Sequence, residues 1–137
     1  MKRWFADSFF FLALLSERDR AHQRAVQIAD HLDSGLVTTE WVLAEVADAL
    51  SSPPVRSKCL ALFEFLKSHP LVTIVQASHD HFERGLELYA SRSDKDWPLT
   101  DCVSFVAMRE LGLTEVLTGD RHFEQAGFQI LLGKETV

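Results

Sequence analysis

Cysteine is scarce in this sequence, which holds only two, Cys59 and Cys102. Both lie in apolar, helix-like surroundings, where cysteine packs as a small hydrophobic residue. This usage is typical of reduced thiols in a cytosolic protein rather than of a disulfide framework. Because no histidine stands at ligand spacing to either cysteine, the sequence also excludes a cysteine-based zinc site.

Long apolar runs are missing as well, since no stretch approaches the ~20 apolar residues of a membrane helix. Lys2 and Arg3 precede the segment FFFLALL, as in a signal peptide. However, Asp7 interrupts the apolar run, SERDR follows it, and no small-x-small cleavage site is present. We therefore expect a strand and a helix here, in a cytoplasmic protein without membrane contact.

A surplus of positive charge is also absent. The chain has 20 Asp and Glu against 14 Lys and Arg, which gives a formal charge of −6. Net charge will therefore not attract nucleic acid, and any such contact needs a local basic patch or a bound cation. With 137 residues, 47% of them hydrophobic, and no internal repeat, the composition favours one globular domain.

Hydrophobic periodicity divides the chain into alternating strands and helices. It predicts strands at 3–6, 36–38, 71–75, 115–118 and 128–132. It predicts helices at 8–16, 21–32, 40–50, 55–68, 79–92, 101–111 and 121–126. Strands that alternate with helices indicate an α/β fold, with a parallel sheet covered on both faces.

The most informative stretch is SDKDWPLTDCVSFVAMRELG, residues 93–112. Trp97 and Pro98 end any preceding helix, and Thr100 is predicted to cap the next one. That next helix is apolar on every side, which is typical of a buried helix. Asp101 lies in its first turn, where the helix N-terminus favours a carboxylate. By itself this position gives Asp101 no role beyond stabilising the N-terminus of the helix.

Three further acids fall at comparable places. Asp7 directly follows the first predicted strand, Asp120 follows the fourth, and Glu45 projects from the helix after the second. Each has an ordinary interpretation alone, as a cap, a helix-surface acid or a turn residue. In an open parallel sheet, however, ligands bind outside the carboxyl ends of the strands. Together with Asp101 these acids predict a site at one sheet edge.

Electrostatics indicates what such a site needs. Two carboxylates about 5 Å apart repel by roughly 3 kcal/mol at an effective dielectric near 20. Basic residues nearby are few, and Arg121 is the main candidate. Carboxylate oxygens without a nearby cysteine or paired histidine favour Mg²⁺ or Mn²⁺ over zinc. Such a centre activates a water and offsets phosphate charge in phosphodiester cleavage.

Four segments resemble those of PIN-domain nucleases: FADSFFFLALL, TTEWVLAEVADAL, DKDWPLTDCVSFVAM and LTGDRHFEQAGF. The last two are the most specific, and the resemblance spans nearly the whole chain. It implies a three-layer α/β/α sandwich with a mainly parallel central sheet, formed as a single domain over residues 1–137. It also implies an Mg²⁺- or Mn²⁺-dependent endoribonuclease that cleaves RNA phosphodiester bonds with an activated water.

The resemblance assigns roles residue by residue. The metal-binding and catalytic acids would be Asp7, Glu45, Asp101 and Asp120, and the supporting residues would be Asp96, Ser8, Thr100 and Thr118. Arg121 and His122 follow Asp120 directly and are candidates for contact with the substrate phosphate, although His122 also fits a surface histidine.

Partners follow from the same resemblance. Many small bacterial members are VapC-type toxins, each inhibited by an antitoxin encoded beside it, so we expect an RNA substrate and an antitoxin. A homodimer is also expected. Phe9, Phe10, Phe11, Leu14 and Leu15 are more apolar residues than one short helix easily buries, and an exposed apolar patch marks an interface.

Three other functions remain open from the sequence. A housekeeping RNA-processing enzyme of the same family cannot be distinguished from a toxin by this chain alone. A non-catalytic binding protein with the same fold is disfavoured, because all four acids are present. A phospho-acceptor signalling domain needs an acceptor aspartate directly after the third strand, and none follows Val75.

Overall fold

The computed structural model describes residues 2–133, which form five strands and seven helices in the predicted order. The strands are β1 (Arg3–Ala6), β2 (Gly35–Thr39), β3 (Val72–Val75), β4 (Glu115–Leu117) and β5 (Gln129–Ile130). The helices are α1 (Ser8–Leu15), α2 (His22–Asp30), α3 (Glu40–Ala49), α4 (Pro53–Ser68), α5 (His79–Ser91), α6 (Leu99–Glu110) and α7 (Arg121–Gln125).

The strands form one sheet in the order β3-β2-β1-β4-β5, and every neighbouring pair is parallel. Helices α1 to α4 pack with one another, as do α5 to α7, so the sheet lies between two helical layers. This confirms the three-layer α/β/α sandwich. The strand order reverses direction between β1 and β4, and that switch point is where ligands bind in open α/β sheets.

Aromatic rings fill the core beneath the α6–α7 layer. Phe105 stands edge-on to Phe123 with ring centroids 4.9 Å apart, and Phe5 from β1 and Phe128 pack on the same cluster. Phe5, Phe105 and Phe123 are completely buried. Because these rings come from a strand, two helices and a loop, they join the sheet to the helices above it.

Helix α6 is buried on all sides over residues 101–108, as its composition predicts. The prediction of its start was wrong. Pro98 occupies the N-cap position and the helix begins at Leu99, so Thr100 is a first-turn residue and makes no cap. Proline at this place fixes an extended backbone at the helix entry without needing a side-chain hydrogen bond.

Among the described residues, no helix is long and apolar enough to cross a membrane.

Helix α1 does not present the exposed apolar patch that the sequence predicts. Phe10 and Phe11 are buried in the core, and Leu14 and Leu15 are half-buried against it. Phe9 packs over Gly119, where an added Cβ would come within 2.6 Å of the ring. The helix is sandwiched between its neighbours, so its apolar residues give no support to the predicted homodimer.

Candidate active site

Asp7 and Thr118 meet at the carboxyl ends of the two central strands. The register pairs Ala6 with Leu117, so the residues that follow β1 and β4 lie side by side. The Thr118 hydroxyl donates a hydrogen bond of 3.0 Å to Asp7 Oδ2. Asp7 stands at the N-cap position of α1, yet its side chain caps no helix N–H group. Its carboxyl therefore faces the site and not the helix.

Burial perturbs the Asp7 carboxyl strongly. Its Oδ1 is buried and has no hydrogen-bond partner among the described residues. Burial is the largest cause that raises the pKa of Asp7 from 3.8 to about 7, and the charges of Asp101 and Glu45 raise it further. The nearby Ser8 backbone N–H and the hydrogen bond from the Thr118 hydroxyl both lower the pKa of Asp7 and so limit this rise. A buried carboxyl with an unpaired oxygen is an open position for a proton or a cation.

Asp101, Asp120 and His122 form the second half of the cluster. His122 Nδ1 lies 3.0 Å from Asp101 Oδ2 and 3.2 Å from Asp120 Oδ1. Burial, the largest cause, raises the pKa of Asp101 to about 6, and the charges of Asp120 and Glu45 add to it. The hydrogen bond from His122 limits that rise. When both carboxyls are ionised, Nδ1 must carry a hydrogen, because carboxylates only accept.

Local backbone structure fixes these side chains. Asp120 caps α7, since its Oδ1 accepts a 2.9 Å hydrogen bond from the His122 backbone N–H. The Asp120 backbone N–H donates in turn to the Thr118 hydroxyl at 3.1 Å. Thr118 thus ties the loop after β4 to Asp7, and one threonine orients both halves of the cluster.

Glu45 completes the group of four acids. It lies on α3, whose first turn is capped by the Thr39 hydroxyl at 3.1 Å from the Val42 backbone nitrogen. Its charge raises the pKa of both Asp7 and Asp101. The structure therefore brings Asp7, Glu45, Asp101 and Asp120 into one electrostatically coupled cluster.

The donor set fits a divalent cation. One ligand atom each from Asp101, Asp120 and His122 lies within 4.8 Å of the other two. These are two carboxylate oxygens and one imidazole nitrogen, and the unpaired Oδ1 of Asp7 adds an orphaned acceptor to the same cluster. Oxygen donors suit Mg²⁺, whereas a nitrogen donor favours a transition metal such as Mn²⁺.

His122 is the residue whose role the sequence did not predict. It is half-buried between two acids rather than a surface histidine, and it, not Arg121, supplies the contact with the carboxylates. The sequence predicted for His122 a contact with the substrate phosphate or a surface position, and it did not predict the contact with the two carboxylates. The available signal was its position two residues after Asp120, in the first turn of a predicted helix.

The remaining predicted residues differ in how the structure places them. Thr118 is buried and hydrogen-bonded within the cluster, and Ser8 contacts Asp7 through its backbone. Thr100 is half-buried in the first turn of α6 and makes no side-chain hydrogen bond to the acids. Asp96 and Arg121 are exposed.

A parallel α/β sandwich with buried acids at its switch point defines a class of proteins with an acidic, cation-binding centre. The model of one such family, the PIN domain, matches residues 5–129. The chain belongs to the PIN domain family.

Solved structures support the fold. VapC20 of Mycobacterium tuberculosis, described as a sarcin-ricin loop cleaving toxin, is 24% identical to the chain, with a TM-score of 0.81 over 90% of this chain and 95% of that one. VapBC2 of Rickettsia felis, bound to a promoter DNA fragment, is 10% identical, with a TM-score of 0.67 over 94% and 97%. FitAcB of Neisseria gonorrhoeae is 18% identical, with a TM-score of 0.66 over 93% and 95%. No curated protein matches the chain significantly.

Proposed function

We propose that this protein is a metal-dependent endoribonuclease that hydrolyses RNA phosphodiester bonds. The observation that carries the proposal is the coupled cluster of Asp7, Glu45, Asp101 and Asp120 at the switch point of a PIN-domain sheet. Two of these carboxyls have pKa values raised to about 7 and 6. A cluster that resists full ionisation is what a divalent cation would stabilise.

Asp101, Asp120 and His122 are the residues that would hold an Mg²⁺ or Mn²⁺ ion, with Asp7 and Glu45 beside them. A bound divalent cation lowers the pKa of water and neutralises charge that develops on a phosphate. The protein's own contribution is to position the acceptors. Thr118 orients Asp7, the α7 backbone orients Asp120, and the buried start of α6 holds Asp101 away from bulk water.

We further propose that the enzyme is the toxin of a toxin–antitoxin pair. VapC20, which its description calls a toxin that cleaves the sarcin-ricin loop, shares the fold over nearly its whole length. The VapBC structures of Rickettsia felis and Salmonella typhimurium suggest an antitoxin partner. A housekeeping RNA-processing role is the alternative. A neighbouring gene for a small protein with a DNA-binding N-terminus would favour the toxin.

A homodimer remains part of the proposal without structural support from α1. Sedimentation at micromolar concentration measures it directly, and a strict monomer would remove this element while leaving the nuclease proposal intact.

Cleavage of a labelled RNA with and without Mn²⁺ tests the enzymatic proposal. We expect wild-type protein to cut with Mg²⁺ or Mn²⁺, to lose activity in EDTA, and to remain inactive with Ca²⁺, whose looser coordination positions water poorly. Asp101→Asn should abolish cleavage. The matched control is Asp48→Asn on the exposed side of α3, which should cut like wild type.

The ends of the products identify the nucleophile. Attack by water leaves 5′-phosphate and 3′-hydroxyl ends, whereas attack by the ribose 2′-hydroxyl leaves 2′,3′-cyclic phosphates. Cyclic ends, or cleavage that persists in EDTA, would falsify the assignment of the four acids.

A further inference from the structure

A cavity of about 540 Å³ opens between the end of α5 and the start of α6. The residues that matter for its chemistry are Tyr89 and Arg92 from α5 and its C-cap, Lys95, Asp96 and Trp97 from the connecting loop, and Cys102 from α6. Its volume lies in the range of small-ligand sites. None of these residues except Asp96 belongs to the predicted active site.

The cavity lies beside the acidic cluster. Cys102 is the next residue after Asp101, and the Asp101 charge adds to the effect of burial in raising the pKa of the Cys102 thiol. The Trp97 indole N–H donates a 3.0 Å hydrogen bond to Gln125 Oε1 on α7, one turn after His122. The cavity and the cluster therefore both adjoin the first turn of α6, and Trp97 links the wall of the cavity to α7.

One wall of the cavity consists of side chains that contact one another. The Arg92 guanidinium lies 5.1 Å from the centre of the Trp97 ring and donates hydrogen bonds of 2.9 and 3.0 Å to Asp94. Trp97 is itself buried and stands edge-on to Phe105 at 5.0 Å. Since the Arg92 guanidinium is paired with Asp94, Arg92 shapes the cavity and is not a free positive charge for a ligand.

The other groups in the cavity are available to a ligand. Within the described residues, the Lys95 ammonium makes no hydrogen bond or ion pair, and its charge only assists in lowering the pKa of exposed Asp94. The Tyr89 ring is 51% exposed, and the Asp96 carboxylate is exposed and has no partner either. A cation, an aromatic face and a hydrogen-bond acceptor thus surround one cavity.

We propose that this cavity binds one nucleotide of the RNA substrate next to the bond that is cut. A phosphate would pair with Lys95, a base would stack on Tyr89, and an N–H donor on that base would meet Asp96. Stacking on aromatic rings and phosphate contacts with lysine are how single-stranded nucleic acids are held. An acidic polypeptide fits less well, because its carboxylate side chains have no planar base to stack on Tyr89. This inference rests on the proposed function.

Binding of a fluorescent single-stranded RNA oligonucleotide in EDTA tests the inference without cleavage. We would measure fluorescence anisotropy of the full chain across a salt titration for wild type, Lys95→Gln, Lys95→Arg and Tyr89→Ala. Lys67→Gln, an exposed lysine in the last turn of α4, is the matched control.

We expect Lys95→Gln to weaken binding severalfold at low salt and to reduce the slope of log K against log salt by about 0.7, the value for one phosphate contact on a single strand. Lys95→Arg should keep the slope, and Tyr89→Ala should weaken binding about tenfold. Lys67→Gln should behave as wild type. Circular dichroism confirms that each variant is folded.

Unchanged affinity and slope in both Lys95→Gln and Tyr89→Ala would overturn the inference. Oligoglutamate that binds through Lys95, while RNA binding is unaffected by the same variant, would also overturn it in favour of an acidic protein segment. Failure of the proposed function would give a different result. RNA binding by the wild type would still depend on Lys95, but the wild type would cut no RNA with any divalent metal.

Discussion

Asp7 and Asp101 carry the unusual chemistry of this protein, since both are carboxyls buried at the ends of core elements. Each is held by one strong contact, with Thr118 and His122 respectively, and each is repelled by the same neighbour, Glu45. Burial and repulsion both disfavour their charged forms. In the absence of a cation, these residues are therefore a source of instability.

Replacement of Asp101 with asparagine should separate activity from stability. Asparagine keeps the shape of the side chain and removes a repelled charge, so we expect Asp101→Asn to be as stable as wild type or more stable in EDTA at pH 8. Cleavage should be lost. Urea unfolding gives the free energy of unfolding, and a destabilisation as large as that of a core truncation would count against a crowded acidic site.

Replacement of His122 with asparagine should change which metal binds. Imidazole nitrogen is a ligand for transition metals, whereas Mg²⁺ prefers oxygen. We expect His122→Asn to lower Mn²⁺ affinity about tenfold and Mg²⁺ affinity much less, as measured by calorimetric titration. His79→Asn, which alters a highly exposed histidine, is the control. An equal loss for both metals would mean that His122 orients the carboxylates and does not itself bind the ion.

Helix α6 connects the site to the core at the level of secondary-structure elements. Its first turn holds Asp101, and its middle holds Phe105 among the rings of Trp97, Phe123 and Phe128. Helix α5 packs closely against it at Gly85, where an added Cβ would lie 2.5 Å from a Val103 methyl. The position of the Asp101 carboxyl therefore depends on the packing of a whole helix.

Truncation of Phe105 tests this dependence. Because its ring is completely buried, Phe105→Ala should cost about 3–5 kcal/mol in the free energy of unfolding. Leu60→Ala, at a side chain that is 64% exposed on α4, should change stability by less than about 0.5 kcal/mol. Denaturant unfolding compares the two, and similar losses in both would show that α6 does not hold the core together.

Stability of the whole molecule should depend on pH in an unusual direction. Folding raises the pKa of Asp7 from 3.8 to about 7 and that of Asp101 to about 6. Between the unfolded-state and the folded-state pKa of each carboxyl, the folded state binds more protons than the unfolded state. Stability therefore falls as pH rises through this range. We expect the free energy of unfolding in EDTA to drop by about 2–4 kcal/mol for Asp7 between pH 4 and pH 8.

A divalent cation should reverse this loss. At a concentration one hundred times its Kd, Mn²⁺ should add about 2.7 kcal/mol at pH 8. Asp7→Asn removes the carboxyl whose pKa is raised, so the free energy of unfolding should depend less on pH. Thermal unfolding across this pH range measures both effects, and a metal-free wild type that gains stability from pH 5 to pH 8 would contradict the raised pKa values.

The order of the elements and the all-round burial of α6 were predictable from the sequence. Hydrophobic periodicity and composition reflect the local preference for helix or strand. A chain in which strands alternate with helices has few possible topologies other than a parallel sheet. The four acids were also predictable as a group, because a parallel sheet brings the ends of its strands to one edge. The segments that resemble PIN-domain nucleases pointed to the family directly.

Only the tertiary structure decided how those acids are held. The place of His122 between Asp101 and Asp120, the bond from Thr118 to Asp7, and the cavity between Tyr89 and Lys95 each join residues that are distant in sequence or depend on side-chain direction. Likewise, α1 is buried because both neighbouring helices cover it, and not because of its own pattern. Local periodicity specifies which residues form an element, whereas contacts between elements depend on how the crossovers place them in space.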